Sequence, residues 1–190
     1  MNDDLLVYQA KSFYNAYIAL EQLSRDDSSD TLLLLFAPLV VNGAFSVELA
    51  LKAILAKNQI EYGKEHNLLI LFQMLPKSFQ QELWAYLIEK APEYADPEKG
   101  LDELILLSNA FVDWRYTFEG KPVPAIESRF LAAFANAAIR TIFSHYNTDL
   151  QPSTKTESDD AIEQKFRDNR EKCKEINLKM IQKKTKEHLL

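Results

Sequence analysis

Glycine is scarce in this chain, with four in 190 residues. A loop that cradles phosphate needs several closely spaced glycines, so that backbone amides approach the ligand without an intervening Cβ. Phosphate-binding loops and dinucleotide fingerprints are therefore excluded. Cys173 stands alone, so an intramolecular disulfide is impossible and nothing points to an oxidising compartment. The three histidines, His66, His145 and His188, form no HExxH pair and no cluster at metal-ligand spacing. No nucleophile elbow occurs, and no strand alternation of useful length or internal repeat is visible. Neither metal nor cofactor is expected.

Positive charge is also short. Residues 1–150 carry 12 Lys and Arg against 20 Asp and Glu, while residues 151–190 carry 10 against 8, within a net charge of −6. An acidic body is a poor general trap for nucleic acid, whose non-specific binding depends on cations meeting phosphates, so any RNA contact has to be local. The amino terminus, MNDDLLVYQA, is acidic where a signal peptide is basic, and a cytoplasmic protein is expected. The longest apolar run, Leu32 to Val47, contains Pro38, Asn42 and Gly43 and leads into Glu48. It falls short of the roughly 20 residues that span a bilayer, so burial in a bundle rather than a membrane is expected.

What is present is helical periodicity. Residues 3–24 predict a first helix, and residues 31–58 a second, with Asp30 as its N-cap and Pro38 as a bend or late start. A turn with Gly63 follows. Asn67 caps a short helix that Pro76 ends, and residues 77–90 form another with Phe79, Leu83, Trp84 and Leu87 buried. Three breakers, Pro92, Pro97 and Gly100, make 91–100 a loop. A helix over about 101–113 comes next, then the stretch Trp114 to Pro124, which cannot be one continuous helix, and Pro124 fits the first position of a last helix reaching Tyr146. The fold class is all-α, a bundle of five to six helices over residues 1–148. Residues 149–158 have linker composition, and 159–190 form a charged C-terminal helix or tail with a thin heptad-like seam of Ile162, Phe166, Asn169, Cys173, Ile176 and Met180.

The central element is Asn42 to Leu55, NGAFSVELALKAIL. At about 100° per residue, Val41, Ala44, Phe45, Glu48, Lys52 and Leu55 share one stripe, and the opposite side is hardly more polar. Buried charges cost several kcal/mol unless paired, so Glu48 and Lys52, four apart, are expected to form an ion pair, with Glu48 also free to dock Arg115. Trp114, Tyr116 and Phe118 crowd around Arg115, an arrangement suited either to a core or to base stacking beside a guanidinium. Glu119 closes the same segment. His66 reads as a turn residue without a carboxylate partner at helical spacing.

The order SVELALKAIL, then EHNLLILFQMLP, then FVDWRYTFE before a last long helix resembles the HEPN superfamily over about residues 5–147. That resemblance implies a helical bundle that works as a homodimer in toxin–antitoxin, phage-defence or other prokaryotic stress systems. It also implies RNA or nucleotide as ligand and, in many members, metal-independent endoribonuclease activity from an Arg and a His with four to six residues between them. The chemistry is intelligible: His moves protons at the ribose hydroxyls while Arg stabilises charge growing on phosphate.

At the family's motif position this chain has Arg115, but Gly120, Lys121 and Pro122 stand where the histidine belongs. Arg140 and His145 satisfy the spacing, yet five residues along a helix turn them about 140° apart. His145 falls on the arc of Phe130 and Phe134, and Arg140 on the polar side with Arg129 and Asn136. The reading is a non-catalytic binding module, with Glu48, Lys52, Arg115, Tyr116 and Glu119 as binding or structural residues. The alternatives are an endoribonuclease using Arg140 and His145, or Arg115 with another partner, and a structural adaptor that engages a partner protein through residues 159–188.

Overall fold

The computed structural model describes residues 3–26, 29–115 and 125–146, together with the single helical positions 164, 168 and 171. The chain divides into two compact units, 1–149 and 150–190. In the second, Gln164 donates to Asp168 across one helical turn at 2.8 Å. The expected linker and the apolar seam of the tail lie outside the described residues.

The first unit is built of α1 (Asp3–Asp26), α2 (Ser29–Lys57), α3 (Leu68–Met74), α4 (Lys77–Lys90), a 3₁₀ turn (Pro92–Tyr94), α5 (Pro97–Leu107), α6 (Ala110–Arg115) and α7 (Ser128–His145). Strands are absent among the described residues. Helix α2 lies at the centre because it is apolar nearly all round: Val40, Ala44, Val47, Ala50, Leu51, Ala53, Ile54 and Leu55 are all sealed from solvent. Antiparallel α1 is fixed along it by the Phe13–Phe45 edge contact, 4.6 Å between ring centroids, and by Lys57 on Asp4 at 2.6 Å. Leu35–Lys57 is long and apolar enough to cross a membrane by length and composition alone. Some 78% of its most apolar window is nevertheless buried inside the bundle.

Three boundaries differ from the sequence reading, each for a local reason. Helix α2 already includes Ser29, so Asp30 sits in its first turn rather than capping it, and the helix runs on through Pro38. Pro97 starts α5 instead of breaking it. The Asp96 side chain caps that helix by accepting from Glu98 N at 3.1 Å, and proline's missing N–H is no loss in a first turn. Helix α7 begins at Ser128, with 125–127 non-helical, because Glu127 acts as N-cap by accepting from Phe130 N at 2.7 Å. A further break at Ser108 and Asn109 separates α5 from α6. Phe79 and Trp84 are only half buried, whereas Leu83 and Leu87 are sealed.

Two glycines record close approaches. A Cβ on Gly43 would lie 2.9 Å from Tyr17 of α1 and 3.1 Å from Leu131 of α7, so three helices meet there. One on Gly100 would lie 2.5 Å from the Trp84 ring, which is why a glycine is tolerated inside α5. The α2 C-terminus ends with Gln59 at φ 59° and a bond from Ile60 N to Leu55 O at 2.9 Å, the six-to-one closure that usually recruits glycine.

Gly43→Ala is expected to lower stability by about 1 kcal/mol, because overpacking at the three-helix contact outweighs alanine's better helix propensity. Urea denaturation reads this directly, and an unchanged or raised midpoint would contradict the contact. Burial pushes the Glu127 carboxyl up. Bonds from the Tyr94 hydroxyl and the Phe130 and Arg129 amides, with the Arg129 charge, outweigh that and hold it below the ordinary carboxylate value. A carboxyl depressed by folding stabilises the fold above its unfolded pKa, and that contribution is lost as pH falls through the folded value. Glu127→Gln should therefore cost about 0.5–1 kcal/mol at pH 7, kept small by the exposure of the side chain. The gap in Tm should close as the pH is lowered below about 4.

Candidate functional site

The charged pair on α2 is buried. Glu48 is 1% exposed and Lys52 8% exposed. Lys52 Nζ donates to Glu48 Oε1 at 2.8 Å, one helical turn away, and lies 5.5 Å over the Tyr62 ring. The same oxygen meets His66 Nδ1 at 2.8 Å. Glu48 Oε2 is buried with no partner among the described residues. An ionised carboxylate can only accept, so Nδ1 carries the proton and Nε2 is left facing away from the carboxylate. The imidazole side chain is 53% exposed. A sealed anion thus fixes the tautomer and orientation of a histidine that solvent and solutes can reach.

The turn after α2 delivers that histidine. Gly63 adopts φ 57°, a left-handed conformation glycine takes without strain. Glu65 Oε1 then accepts from the amides of His66 at 2.9 Å and Asn67 at 2.7 Å. Asn67 caps α3 through Ile70 N at 3.1 Å, and its amide reaches Asn109 at 3.2 Å. Leu68 N donates to Ser108 O at 2.9 Å. The turn is therefore pinned to the α5–α6 break, and His66 has little freedom. The carboxylate partner that sequence spacing did not reveal for His66 is Glu48, eighteen residues earlier. No local pattern announces it, since the pairing depends on where the turn folds back.

Arg115 ends α6, exposed, with its guanidinium 4.7 Å over the Phe111 ring. Phe111 stacks on Phe45 at 4.3 Å, and Phe45 lies one turn before Glu48 on α2. Trp114 packs edge-on against Phe36 at 5.0 Å, and its indole Nε1 is buried without a partner among the described residues. Tyr116, Phe118 and Glu119 lie outside the described residues. The recorded bonds of the buried carboxylate go to Lys52 and His66, in the place where docking of Arg115 was expected.

Arg140 and His145 do not look out from opposite sides of α7. Both reach one stripe of α4. Arg140 bonds Glu89 at 3.0 Å and lies 4.1 Å over Tyr86, and His145 Nε2 bonds Glu82 Oε2 at 2.5 Å. Positions 82, 86 and 89 share one helical face, and long side chains can swing through the angle that separates their Cβ atoms. His145 is not a core residue either: its side chain is 41% exposed, against Phe79. Each member of the pair is thus held by its own carboxylate. Burial pushes Glu82 up, but the bonds from His145 and Ser144, with the His145 charge and the Tyr86 hydroxyl, hold it below the ordinary range. His188 lies outside the described residues. Among the described residues no group of three His, Cys, Asp or Glu side chains is arranged to hold a metal ion.

Lys52→Met should lower stability by about 3 kcal/mol, because it strands a buried anion on one remaining partner. The double variant Glu48→Gln/Lys52→Met should recover much of that loss. Denaturant titration of the two variants checks it, and equal losses would mean that the pair is not sealed from water.

A family model described as HEPN domain matches residues 39–164. No curated protein and no solved structure matches the chain.

Proposed function

The chain belongs to the HEPN domain family, matched over more than half of its length, and from that premise we propose that it acts by binding rather than by cleaving. In this reading it is an RNA- or nucleotide-associated module of a prokaryotic stress, toxin–antitoxin or phage-defence system, working as a homodimer. The observation that carries the proposal is the fate of the one Arg and His pair at the right spacing: Glu89 holds Arg140 and Glu82 holds His145. A guanidinium engaged with a carboxylate has to break that ion pair before it can stabilise a phosphorane, and the Glu82 bond keeps the imidazole nitrogen from a ribose hydroxyl. Arg115 is exposed on an aromatic base of Phe111 and Phe45, a setting suited to a phosphate or a stacked base.

One observation favours a second reading, an endoribonuclease. His66 is oriented by a sealed carboxylate with Nε2 directed outward, the arrangement a proton-transferring base requires. In that reading His66 would take the proton of a 2′-hydroxyl as its oxygen attacks phosphorus. Water would protonate the departing 5′-oxygen, leaving a 2′,3′-cyclic phosphate.

The two readings part in one experiment: total RNA incubated in EDTA with wild type, His66→Ala and His145→Ala, beside filter retention of a labelled single-stranded RNA. Retention without cleavage is expected, weakened roughly tenfold in Arg115→Ala and falling as salt rises. Cleavage that disappears in His66→Ala or His145→Ala would replace the binding reading with the enzymatic one. Light scattering of the full chain should give twice the monomer mass.

A further inference from the structure

A second place in the first unit has the chemistry of a ligand site. One stripe of α1 carries Tyr14, Tyr17 and Arg25, and the first turns of α7 carry Arg129 and Asn136. Together with Lys90 at the end of α4 they line a cleft of about 490 Å³, within the size range of small-molecule pockets. The cleft exists because alanines at 132 and 133 face it from α7, leaving a gap where larger side chains would close α7 onto α1. Its far wall is held by Asn136 Nδ2 donating to the Tyr14 hydroxyl at 3.0 Å.

The lining is rich in donors and positive in a body that is acidic. Arg25 is bonded to Glu21 at 2.8 Å, itself part of the lining, and Arg129 to Glu93 at 2.6 Å. Lys90 has no ionic partner among the described residues, and it lines the cleft together with Ser128 and Arg129 of the first turn of α7, where the helix dipole is positive. Tyr17 is 1% exposed, and its hydroxyl makes no hydrogen bond among the described residues. Burial, with the neighbouring Glu21 and Tyr14, pushes that hydroxyl well above its ordinary value, so it stays a donor. That hydroxyl is the polar end of a buried ring that lines the cleft, and it can donate to an acceptor that enters.

We propose that this cleft binds a small sugar phosphate, its phosphate held first by Lys90 and then by Arg129 and Arg25, whose exposed ion pairs with Glu93 and Glu21 have to open for it, and its hydroxylated body reaching the Tyr17 hydroxyl and Asn136. The cations match a phosphomonoester dianion, and an inner wall offering both a donor and an amide matches a polyol better than an apolar ring. The proposal stands apart from the RNA reading, since Arg115 and His66 take no part in it.

Isothermal titration of the full chain with ribose 5-phosphate, ribose and inorganic phosphate tests it. Ribose 5-phosphate is expected to saturate one site per chain, inorganic phosphate to bind more weakly, and ribose not at all. Lys90→Gln should weaken ribose 5-phosphate roughly tenfold or more while leaving Tm unchanged, because the ammonium is exposed and unpaired among the described residues. Ala132→Trp, which fills the cleft, should abolish binding while Arg115→Ala leaves it intact. Absence of binding by wild type, binding indifferent to both Lys90→Gln and Ala132→Trp, or ribose binding as tightly as its phosphate would overturn the assignment.

Discussion

A carboxylate sealed in the middle of an apolar helix has to be neutralised by whatever the fold brings to it, and at Glu48 that requirement organises the surroundings. Lys52 comes from the same helix and needs no tertiary structure. His66 comes from a turn that must leave α2, reverse at Gly63 and fold back on the Glu65 carboxylate before its ring can meet Oε1. The same turn caps α3 and ties it to the α5–α6 break. One buried charge thus couples the central helix to three later elements, and the desolvation cost of an unpaired anion, several kcal/mol, makes the coupling strict.

The same electrostatic logic separates the two histidines. At His66 the carboxylate is buried and the ring is open, so the acid serves as a fixed support for a reachable imidazole. At His145 the acid sits beside the ring on the neighbouring helix and takes Nε2 itself. A carboxylate behind an imidazole prepares it for chemistry, and one in front occupies it. This distinction is one that spacing does not carry, since four residues between Arg and His satisfy a pattern without saying what lies across from either side chain.

Local signals and long-range ones fared differently. The bounds of α4 and the Asn67 cap follow from breakers and capping residues that act within one turn, and both were legible. The start of α5 was misread because Pro97 breaks a helix in its interior yet initiates one behind Asp96. The start of α7 was misread because Pro124 suits a first helical position, whereas Glu127, bonded to the Tyr94 hydroxyl at 2.6 Å from the other side, caps a helix that begins at Ser128. That bond spans 33 residues, and no window of local sequence contains it.

Periodicity, composition and breakers by themselves determined an all-α chain arranged around Asn42–Leu55, with Glu48 and Lys52 one turn apart in its centre, because those properties depend on residues within a few positions of one another. Only the tertiary structure decided that His66 faces Glu48, that Arg140 and His145 are held along α4, and that Arg25, Lys90, Arg129 and Tyr17 line one cleft beside α1 and α7. Each of these depends on the angle at which one helix crosses another. Small residues such as Gly43, Ala132 and Ala133 set those crossings, and their effect on distant side chains is invisible until the chain has packed.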